Sequence, residues 1–264
     1  MGKDEHILKG SEMRSRMRSG EVLVGAWLSF CDLVVAEIMA DVGFDWIGID
    51  SEHVPSSFET IQSLLIGLKG TEAAVLARVP WNDRVAIKRT LDLGVDGVVV
   101  PWVNTEEEAR SAVAACKYAP EGVRGIGPRR AARYGRIAVE YVEHANEEIF
   151  VAVQAETAEA VQNARRIMGV QGVDAVVIGP LDLSLSLGIV WQFDDPKMVA
   201  AIESVIEAGK DTGVPVGMLT GAAMAKKWIA KGVQLVSIGG DAGMLREGLN
   251  GALSDMREWL KQRK

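Results

Sequence analysis

The residues of this sequence with the clearest capacity for chemistry are carboxylates that follow short apolar runs. Glu156 comes shortly after the run 149–153, and Asp182 comes after the run 175–178 and a Gly-Pro pair. Two carboxylates at equivalent positions on consecutive units can hold one hard divalent cation, with water or substrate oxygens completing its coordination shell. The alternative is that each carboxylate only caps the helix that follows it.

A second group combines a carboxylate, an imidazole and a guanidinium. Asp50 follows the apolar run 46–49, and His53 lies three residues further on. Imidazole titrates near neutral pH and a carboxylate can fix its tautomer, so this pair suits general-base catalysis. Arg78 ends another apolar run, where an anionic substrate or a developing enolate oxygen would satisfy its charge. The alternatives are a structural histidine and an ion pair between Arg78 and a buried acid such as Asp50 or Glu156.

The positions of the lysines are also informative. All of them fall in tails, helices or turns, and none lies within an apolar run or at its C-terminal end. A Schiff-base mechanism requires a desolvated lysine that faces the site, so we expect neither that mechanism nor a pyridoxal phosphate cofactor. The first unit also lacks the Gly-rich turn that binds NAD, and Cys31 has no obvious histidine partner in the sequence.

These residues are spaced by a regular alternation of apolar runs and helical segments. Eight such pairs fill the 264 residues, a length close to the roughly 250 residues typical of a (β/α)8 barrel. Strands that are apolar on both faces and joined by helices belong to a parallel sheet. We therefore predict an α/β fold with a single (β/α)8 (TIM) barrel domain over residues 1–264, in which 1–20 form an N-terminal helix or tail; a doubly wound open sheet is the alternative. The predicted strands are 22–29, 46–49, 73–79, 97–103, 149–153, 175–178, 215–219 and 235–238.

The C-terminal ends of the strands carry the chemistry in a barrel of this kind. In this sequence those ends collect polar and titratable groups after runs of Val, Ile, Leu and Ala. The clustering predicts one site at the mouth of the barrel. The residues gathered there are Trp27, Asp50, His53, Arg78, Trp102, Gln154, Glu156, Asp182, Thr220 and the pair Gly239-Gly240.

Composition limits the choice of partners. The net charge is −7 and the isoelectric point is about 5.2, which argues against nucleic acid or an anionic membrane as the main partner. Only two cysteines occur, so no disulfide framework is indicated, and no stretch approaches the ~20 apolar residues of a membrane span. The first residues have no apolar run of the kind found in secretory signals. We expect a cytoplasmic protein that acts on small molecules.

Two segments depart from the regular alternation. Residues 120–135 are rich in Gly and Arg and have no periodicity, and we expect the arginines of 124–136, Arg129 and Arg130 among them, to lie at the rim of the site. Arginine can hold the carboxylate of a second substrate in bidentate fashion; the alternative is a set of inter-subunit salt bridges. The final helix, 241–261, repeats apolar residues at helical spacing, so we expect it to pack across a subunit boundary in a trimer-based oligomer.

Six short segments stand out by their motif content: GAWLS at 25–29, GFDWIGIDSEHVP at 43–55, RVPWND at 78–83, RGIGPRRAARYG at 124–135, VQAET at 153–157 and GPLDLS at 179–184. Taken together, they resemble the HpcH/HpaI family of class II, metal-dependent pyruvate aldolases. The resemblance covers nearly the whole chain, from about Val22 to the final helix. The combination of segments makes the resemblance very specific.

The resemblance implies roles for residues already singled out. Glu156 and Asp182 would be the ligands of a divalent metal, either Mg²⁺, Mn²⁺ or Co²⁺. Asp50 and His53 would be the acid–base pair, and Arg78 would contact the pyruvate enolate. The positions that would line the substrate are Trp27, Gln154, Gly179, Pro180 and Leu181, to which the reasoning on the Arg-rich loop adds Arg129 and Arg130.

The resemblance also implies a reaction and an assembly. Such an enzyme reversibly cleaves a 4-hydroxy-2-oxo acid into pyruvate, or hydroxypyruvate, and an aldehyde. Members of the family typically exchange the C-terminal helix between subunits and form hexamers, which are dimers of trimers. One alternative is a citrate-lyase-type enzyme acting on an acyl-CoA thioester, which would need an extended basic site for the nucleotide. The other is a non-catalytic metal-binding barrel, which we would expect to have lost His53, Arg78 or a metal ligand.

Overall fold

The chain folds, in the computed structural model that describes residues 8–263, around a closed barrel of eight parallel strands. The strands follow one another around the barrel in sequence order, and the first pairs with the last. The predicted (β/α)8 fold is therefore confirmed, and the open sheet is excluded. The strands are β1 (Leu23–Leu28), β2 (Trp46–Asp50), β3 (Ala74–Arg78), β4 (Gly97–Val100), β5 (Phe150–Ala155), β6 (Ala175–Ile178), β7 (Val216–Met218) and β8 (Leu235–Gly240).

Helices connect the strands and cover the outside of the barrel. Most begin where a side chain satisfies the free backbone N–H groups of the first turn. Thr105 and Glu108 form a reciprocal capping box at the start of the helix that begins at Glu106. The helices are α1 (Gly10–Arg18), α2 (Leu33–Asp41), α3 (Phe58–Gly67), α4 (Arg84–Asp92), α5 (Glu106–Cys116), α6 (Ala138–Glu148), α7 (Ala158–Met168), α8 (Pro180–Ser186), α9 (Pro196–Thr212), α10 (Ala222–Ile229) and α11 (Asp241–Gln262), and a 3₁₀ turn covers Arg133–Gly135.

The interior of the barrel is filled by apolar side chains toward its N-terminal end. Phe150 points into this core from β5, and Met13 and Met17 of α1 enter it from below. Gly25 is required at this level, because a Cβ there would lie 2.3 Å from the ring of Trp46. A second and larger apolar layer lies between the strands and the helices. This packing fixes the strands whose C-terminal ends carry polar groups.

The Arg-rich loop lies at the other end of the barrel from those polar groups. It connects α5 to α6, and a connection that leaves a helix and leads back to a strand lies at the N-terminal face of a (β/α)8 barrel. Arg130 donates to the carbonyl oxygens of Leu93 at 2.6 Å and Leu65 at 3.0 Å, just beyond α4 and in the last turn of α3. Arg129 is an exposed residue of the same loop. The expectation that these two arginines rim the site is therefore not met within one subunit.

The last helix has little cover within the chain. In α11, Asp241 is the one buried residue among 241–262. The exposed apolar side chains of this helix are Met244, Leu245, Leu249, Leu253, Met256, Trp259 and Leu260. Across residues 8–263, none of the helices combines the length and the apolar character needed to cross a membrane.

Candidate active site

The barrel brings the predicted polar residues together at its C-terminal face. Asp50 and Arg78 pair directly in the register of β2 and β3. Gln154 and Ala155 of β5 pair with β6, and this pairing places Glu156 beside the Gly179 turn that leads into α8. Asp182 lies in the first turn of that helix. The sequence pattern does not predict the short helix α8, because Gly179-Pro180 indicates only the end of the preceding strand.

Arg78 is held by two carboxylates and an aromatic face. Its Nε donates to Asp50 Oδ1 at 2.9 Å and its Nη2 to Asp50 Oδ2 at 2.7 Å. Its Nη1 lies 3.2 Å from Glu52 Oε2, and its guanidinium carbon lies 5.0 Å from the ring centroid of Trp27. A bidentate pair of this kind fixes both the position and the orientation of the guanidinium.

Asp50 stays a carboxylate in this arrangement. Burial acts to raise the pKa of Asp50, but the hydrogen bonds and charge of Arg78 outweigh burial and lower it below the usual value. Asp50 Oδ1 also accepts the backbone N–H of Glu52 at 3.0 Å. Asp50 therefore anchors Arg78 and the loop that leads to His53.

Glu52 is a site residue that the sequence reasoning missed. Burial raises its pKa to about 7; the charge of Arg78 opposes that shift, and the carboxylates of Asp50 and Asp182 add to it. The signal was present in the sequence, because Glu52 is two residues beyond the end of β2 and an extended chain returns to the same side every second residue. The pattern of Asp50 followed three residues later by His53 does not by itself mark Glu52 as part of the site.

His53 lies at the mouth of the site with 59% of its side chain exposed, and its Nε2 is 3.6 Å from Glu52 Oε2. The expected pairing with Asp50 does not occur as a hydrogen bond, since both oxygens of Asp50 are engaged by Arg78. The carboxylate beside the imidazole is therefore Glu52. This arrangement still suits a group that carries protons between the site and solvent.

Glu156 is buried and held by two donors. The backbone N–H of Trp102 donates to its Oε1 at 2.7 Å, and Gln154 Nε2 donates to its Oε2 at 2.5 Å. Burial raises its pKa to about 7, the bond from Trp102 opposes that shift, and the carboxylates of Glu52 and Asp182 raise it further. Three carboxylates thus repel one another across the site.

The residues around Glu156 fit a divalent cation. A cation between Glu156 and Asp182 would remove the repulsion between carboxylates, and the oxygen Oε1 of Gln154 is buried with no hydrogen-bond partner. Gly179 leaves the room needed, because a Cβ there would lie 2.6 Å from Glu156 Oε2. Within residues 8–263, no group of three or more His, Cys, Asp or Glu side chains could hold a metal. Two carboxylates with the other positions left to water or substrate suit an open catalytic site better than a closed structural one.

The remaining predicted residues line the same mouth. Trp27 packs its ring edge-on against Trp46, with centroids 5.7 Å apart. Pro180 is buried, and Leu181 is half exposed beside it. The backbone of Trp102 has a φ of 55°, a left-handed conformation that costs a non-glycine residue about 1–3 kcal/mol. That conformation is the one in which its N–H reaches Glu156.

Comparison with known proteins identifies a family for this chain. Residues 23–248 match the HpcH/HpaI aldolase/citrate lyase family. A 4-hydroxy-2-oxo-heptane-1,7-dioate aldolase of Salmonella typhimurium is 38% identical over 241 residues, which cover 89% of this chain and 90% of that protein.

Solved structures of related proteins support the same family assignment. An HpcH/HpaI aldolase/citrate lyase family protein of Burkholderia cenocepacia superposes with a TM-score of 0.89 at 32% identity, covering 94% of this chain and 99% of that one. A citrate synthase superposes with a TM-score of 0.83 at 30% identity, covering 93% and 97%. Because these matches span most of the chain in both sequence and structure, the protein belongs to the HpcH/HpaI aldolase/citrate lyase family, as its six motif segments indicate.

Proposed function

We propose that this protein is a divalent-metal-dependent aldolase that reversibly cleaves a 4-hydroxy-2-oxo acid into pyruvate, or hydroxypyruvate, and an aldehyde. The observation that carries the proposal is the pair Glu156 and Asp182 at one mouth of the barrel with the fixed guanidinium of Arg78. Family membership makes aldolase chemistry the expected class. The finer assignments of metal, substrate and residue roles below are inferences from the site.

Glu156 and Asp182 would hold the metal, which we take to be Mg²⁺, Mn²⁺ or Co²⁺. Hard carboxylate oxygens suit all three ions, so the residues do not choose among them. When bound, such an ion polarises a ketone as a Lewis acid and stabilises the enolate that forms from it. Gln154 orients Glu156 through its amide, as outer-sphere partners of metal ligands commonly do.

Arg78 supplies fixed positive charge on the substrate side. Its two anchors, Asp50 and Glu52, prevent the side chain from swinging away when no substrate is present. A guanidinium that is already oriented loses little freedom when an enolate oxygen or a carboxylate of pyruvate arrives. Trp27 supports the guanidinium from its other face.

His53 moves the proton of the 4-hydroxyl group. In the cleavage direction His53 accepts that proton, the bond between C3 and C4 breaks, and its electron pair passes into the pyruvate enolate. The aldehyde leaves, and protonation at C3 completes pyruvate. The exposure of His53 and its closeness to Glu52 support a role in exchanging this proton with solvent.

We infer that the protein works as an oligomer, a dimer of trimers in which α11 packs on another copy. The support is the row of apolar side chains along α11 that this chain leaves exposed. A helix of 22 residues with one buried residue gains stability mainly from a packing partner, because isolated helices are marginal in water.

The proposal is tested by aldol addition of pyruvate to a panel of aldehydes, with Mg²⁺, Mn²⁺ or Co²⁺ and with excess chelator. We expect product with metal and none with chelator, and no covalent adduct after treatment with pyruvate and borohydride. A borohydride-trapped adduct seen by mass spectrometry would contradict the proposal. Cleavage of an acyl-CoA thioester without aldol activity would favour the citrate-lyase alternative.

A further inference from the structure

A cavity of about 900 Å³ opens at the N-terminal face of the barrel, at the opposite end from the candidate active site. Its walls are the ends of α3 and α4, the segment that leads into β3, and the Arg-rich loop. Its volume is that of a small-molecule site, and no residue of α11 is among its described lining residues. The cations that line the cavity are Lys9, Lys69, Arg130, Arg133 and Arg136.

The described lining contains one carboxylate, Asp96, and this carboxylate is already satisfied. Its Oδ1 accepts the backbone N–H of Lys9 at 2.8 Å, and its Oδ2 accepts that of Val75 at 2.7 Å. Burial raises the pKa of Asp96, and the charge of Lys9 opposes that shift. The ammonium group of Lys9 donates to two carbonyl oxygens of the segment before β3. Lys9 therefore supplies the counter-charge of Asp96.

Arg130 offsets the negative ends of two helices. Its Nη1 donates to the carbonyl oxygen of Leu93 at 2.6 Å, and its Nη2 donates to that of Leu65 at 3.0 Å. These carbonyls lie at the C-terminal ends of α4 and α3, where each helix carries about half a negative charge. The guanidinium and the two helix ends therefore roughly cancel, and the helix ends do not make the cavity negative.

The other three cations have no counter-charge among the described residues. Lys69, Arg133 and Arg136 are exposed at the edge of the cavity, and none of them forms an ion pair with a carboxylate of residues 8–263. Arg133 has a φ of 50°, a left-handed conformation that few non-glycine residues adopt. Three positive charges around one cavity favour an anionic ligand, although the chain as a whole has a net charge of −7.

We propose that this cavity binds a small polyanion that carries two or more phosphate groups. Phosphate oxygens accept hydrogen bonds from ammonium groups and, in bidentate fashion, from guanidinium groups. A diphosphate carries about three negative charges at neutral pH, which matches the three cations left without a counter-charge. The inference does not depend on the proposed aldolase function, because the cavity lies at the other end of the barrel. It gives a role to the Arg-rich loop, which lies away from the candidate active site of its own subunit.

Isothermal titration calorimetry with pyrophosphate tests the inference. The full-length protein is used in its assembled form, stripped of metal and dialysed free of chelator, because pyrophosphate itself binds divalent cations. We expect one pyrophosphate per chain, with a Kd at least about tenfold lower than that of orthophosphate, because the second phosphate group reaches further cations. The metal-free catalytic mouth should not compete, since Glu52, Glu156 and Asp182 repel anions there. Absence of binding, or equal affinity for the two anions, would overturn the inference.

Charge-reversal variants locate the binding in the cavity. Lys69→Glu and Arg136→Glu should each raise the Kd of pyrophosphate by about tenfold, because each replaces an attraction with a repulsion. The matched control is Lys197→Glu, the same charge change at an exposed position in the first turn of α9, which should leave Kd unchanged within twofold. If the control raised Kd as much as the two cavity variants, the net charge of the chain and not this cavity would control binding, and the inference would be wrong.

Sedimentation of the same variants tests the other use of these cations, which is a set of salt bridges with another copy. We expect Lys69→Glu and Arg136→Glu to sediment like the wild-type protein, because their side chains are held for a ligand and not for an interface. Dissociation of the assembly by these two changes, together with a wild-type protein that binds no pyrophosphate, would assign the cations to an interface and would contradict the inference.

Discussion

Arg78 serves both the proposed chemistry of the site and its stability. A guanidinium ringed by Asp50, Glu52 and Trp27 is satisfied before substrate arrives. The sequence allows two interpretations of Arg78, which are a substrate contact and an ion pair with a buried acid. Both are therefore compatible with one arrangement. The ion pair holds in place the charge that the proposed reaction would use.

Glu52→Gln should lower kcat/KM without unfolding the protein. The change removes the negative charge that lies 3.2 Å from Arg78 Nη1 and 3.6 Å from His53 Nε2, so both groups lose their electrostatic attraction to this side chain. We expect kcat/KM to fall about tenfold to a hundredfold and the pH profile to shift. The same Glu→Gln change at an exposed position away from the site should not shift the pH profile. Steady-state kinetics over pH 5–9 checks it; an unchanged pH profile would show that Glu52 is only a packing residue.

The buried carboxylate of Glu156 makes the stability of the metal-free protein depend on pH. Its pKa rises from 4.5 in the unfolded chain to about 7 in the fold because of burial. The folded state therefore binds the proton more tightly, and its stabilising effect is complete below the unfolded pKa and is lost as pH rises toward and through 7. A divalent cation replaces the proton and should restore stability at the higher pH.

Thermal unfolding in the presence of chelator measures this effect. We expect Tm to fall between pH 5 and 8, and we expect Mg²⁺ to raise Tm more at pH 8 than at pH 5. Glu156→Gln should make the decrease of Tm with pH smaller. The decrease that remains is the contribution of Glu52, whose own pKa is about 7. A Tm that rises over this range in the metal-free wild type would contradict the assignment of Glu156 as a buried carboxylate.

At the scale of the element, the strands and helices follow from the alternation of apolar runs, and the connections do not. Each strand was predicted, with ends that differ by a few residues at most, because runs of Val, Ile and Ala mark a parallel strand. The helix α8 was missed because seven residues after a Gly-Pro pair carry too little periodicity to identify. The composition of the Arg-rich loop predicts a place at the rim of the site, but within one subunit its topology puts it at the N-terminal face.

Arg130→Ala should therefore affect stability and not substrate choice. Arg130 donates to the carbonyl oxygens of Leu65 and Leu93 beside the ends of α3 and α4, and removing these bonds from a half-buried site costs about 1–2 kcal/mol. We expect a lower midpoint of urea unfolding, with KM for pyruvate and for aldehydes unchanged within twofold. If Arg130→Ala instead raised KM for an acidic aldehyde and left stability unaltered, this prediction would be wrong. The loop would then act in the site of a neighbouring subunit.

At the scale of the whole molecule, the exposed apolar face of α11 predicts assembly. Sedimentation should show a particle much larger than the 28.4 kDa chain. Leu249→Lys should shift the protein toward smaller species, because it places a charge in the middle of the apolar row of α11. A wild-type protein that sediments as a monomer at micromolar concentration would contradict the prediction.

The barrel, and the end of it at which the polar residues gather, were predictable from one sequence, because the barrel places strand ends together whatever lies between them. Which of those residues pair with one another was not predictable from the sequence. Which carboxylate Arg78 takes, and whether His53 meets Asp50 or Glu52, depends on distances of a few ångströms that spacing along the chain does not determine.

The central claim is that Glu156 and Asp182 hold a metal ion that activates pyruvate. Deuterium exchange at the methyl group of pyruvate, followed by NMR with Mg²⁺ or Mn²⁺ and no aldehyde, tests it most directly. We expect exchange in the wild-type protein, none with excess chelator, and a loss of about a hundredfold or more in Glu156→Gln and Asp182→Asn, since even outer partners of metal ligands cost 10–100-fold. Exchange that persists at the wild-type rate in chelator, or in both variants, would contradict the account.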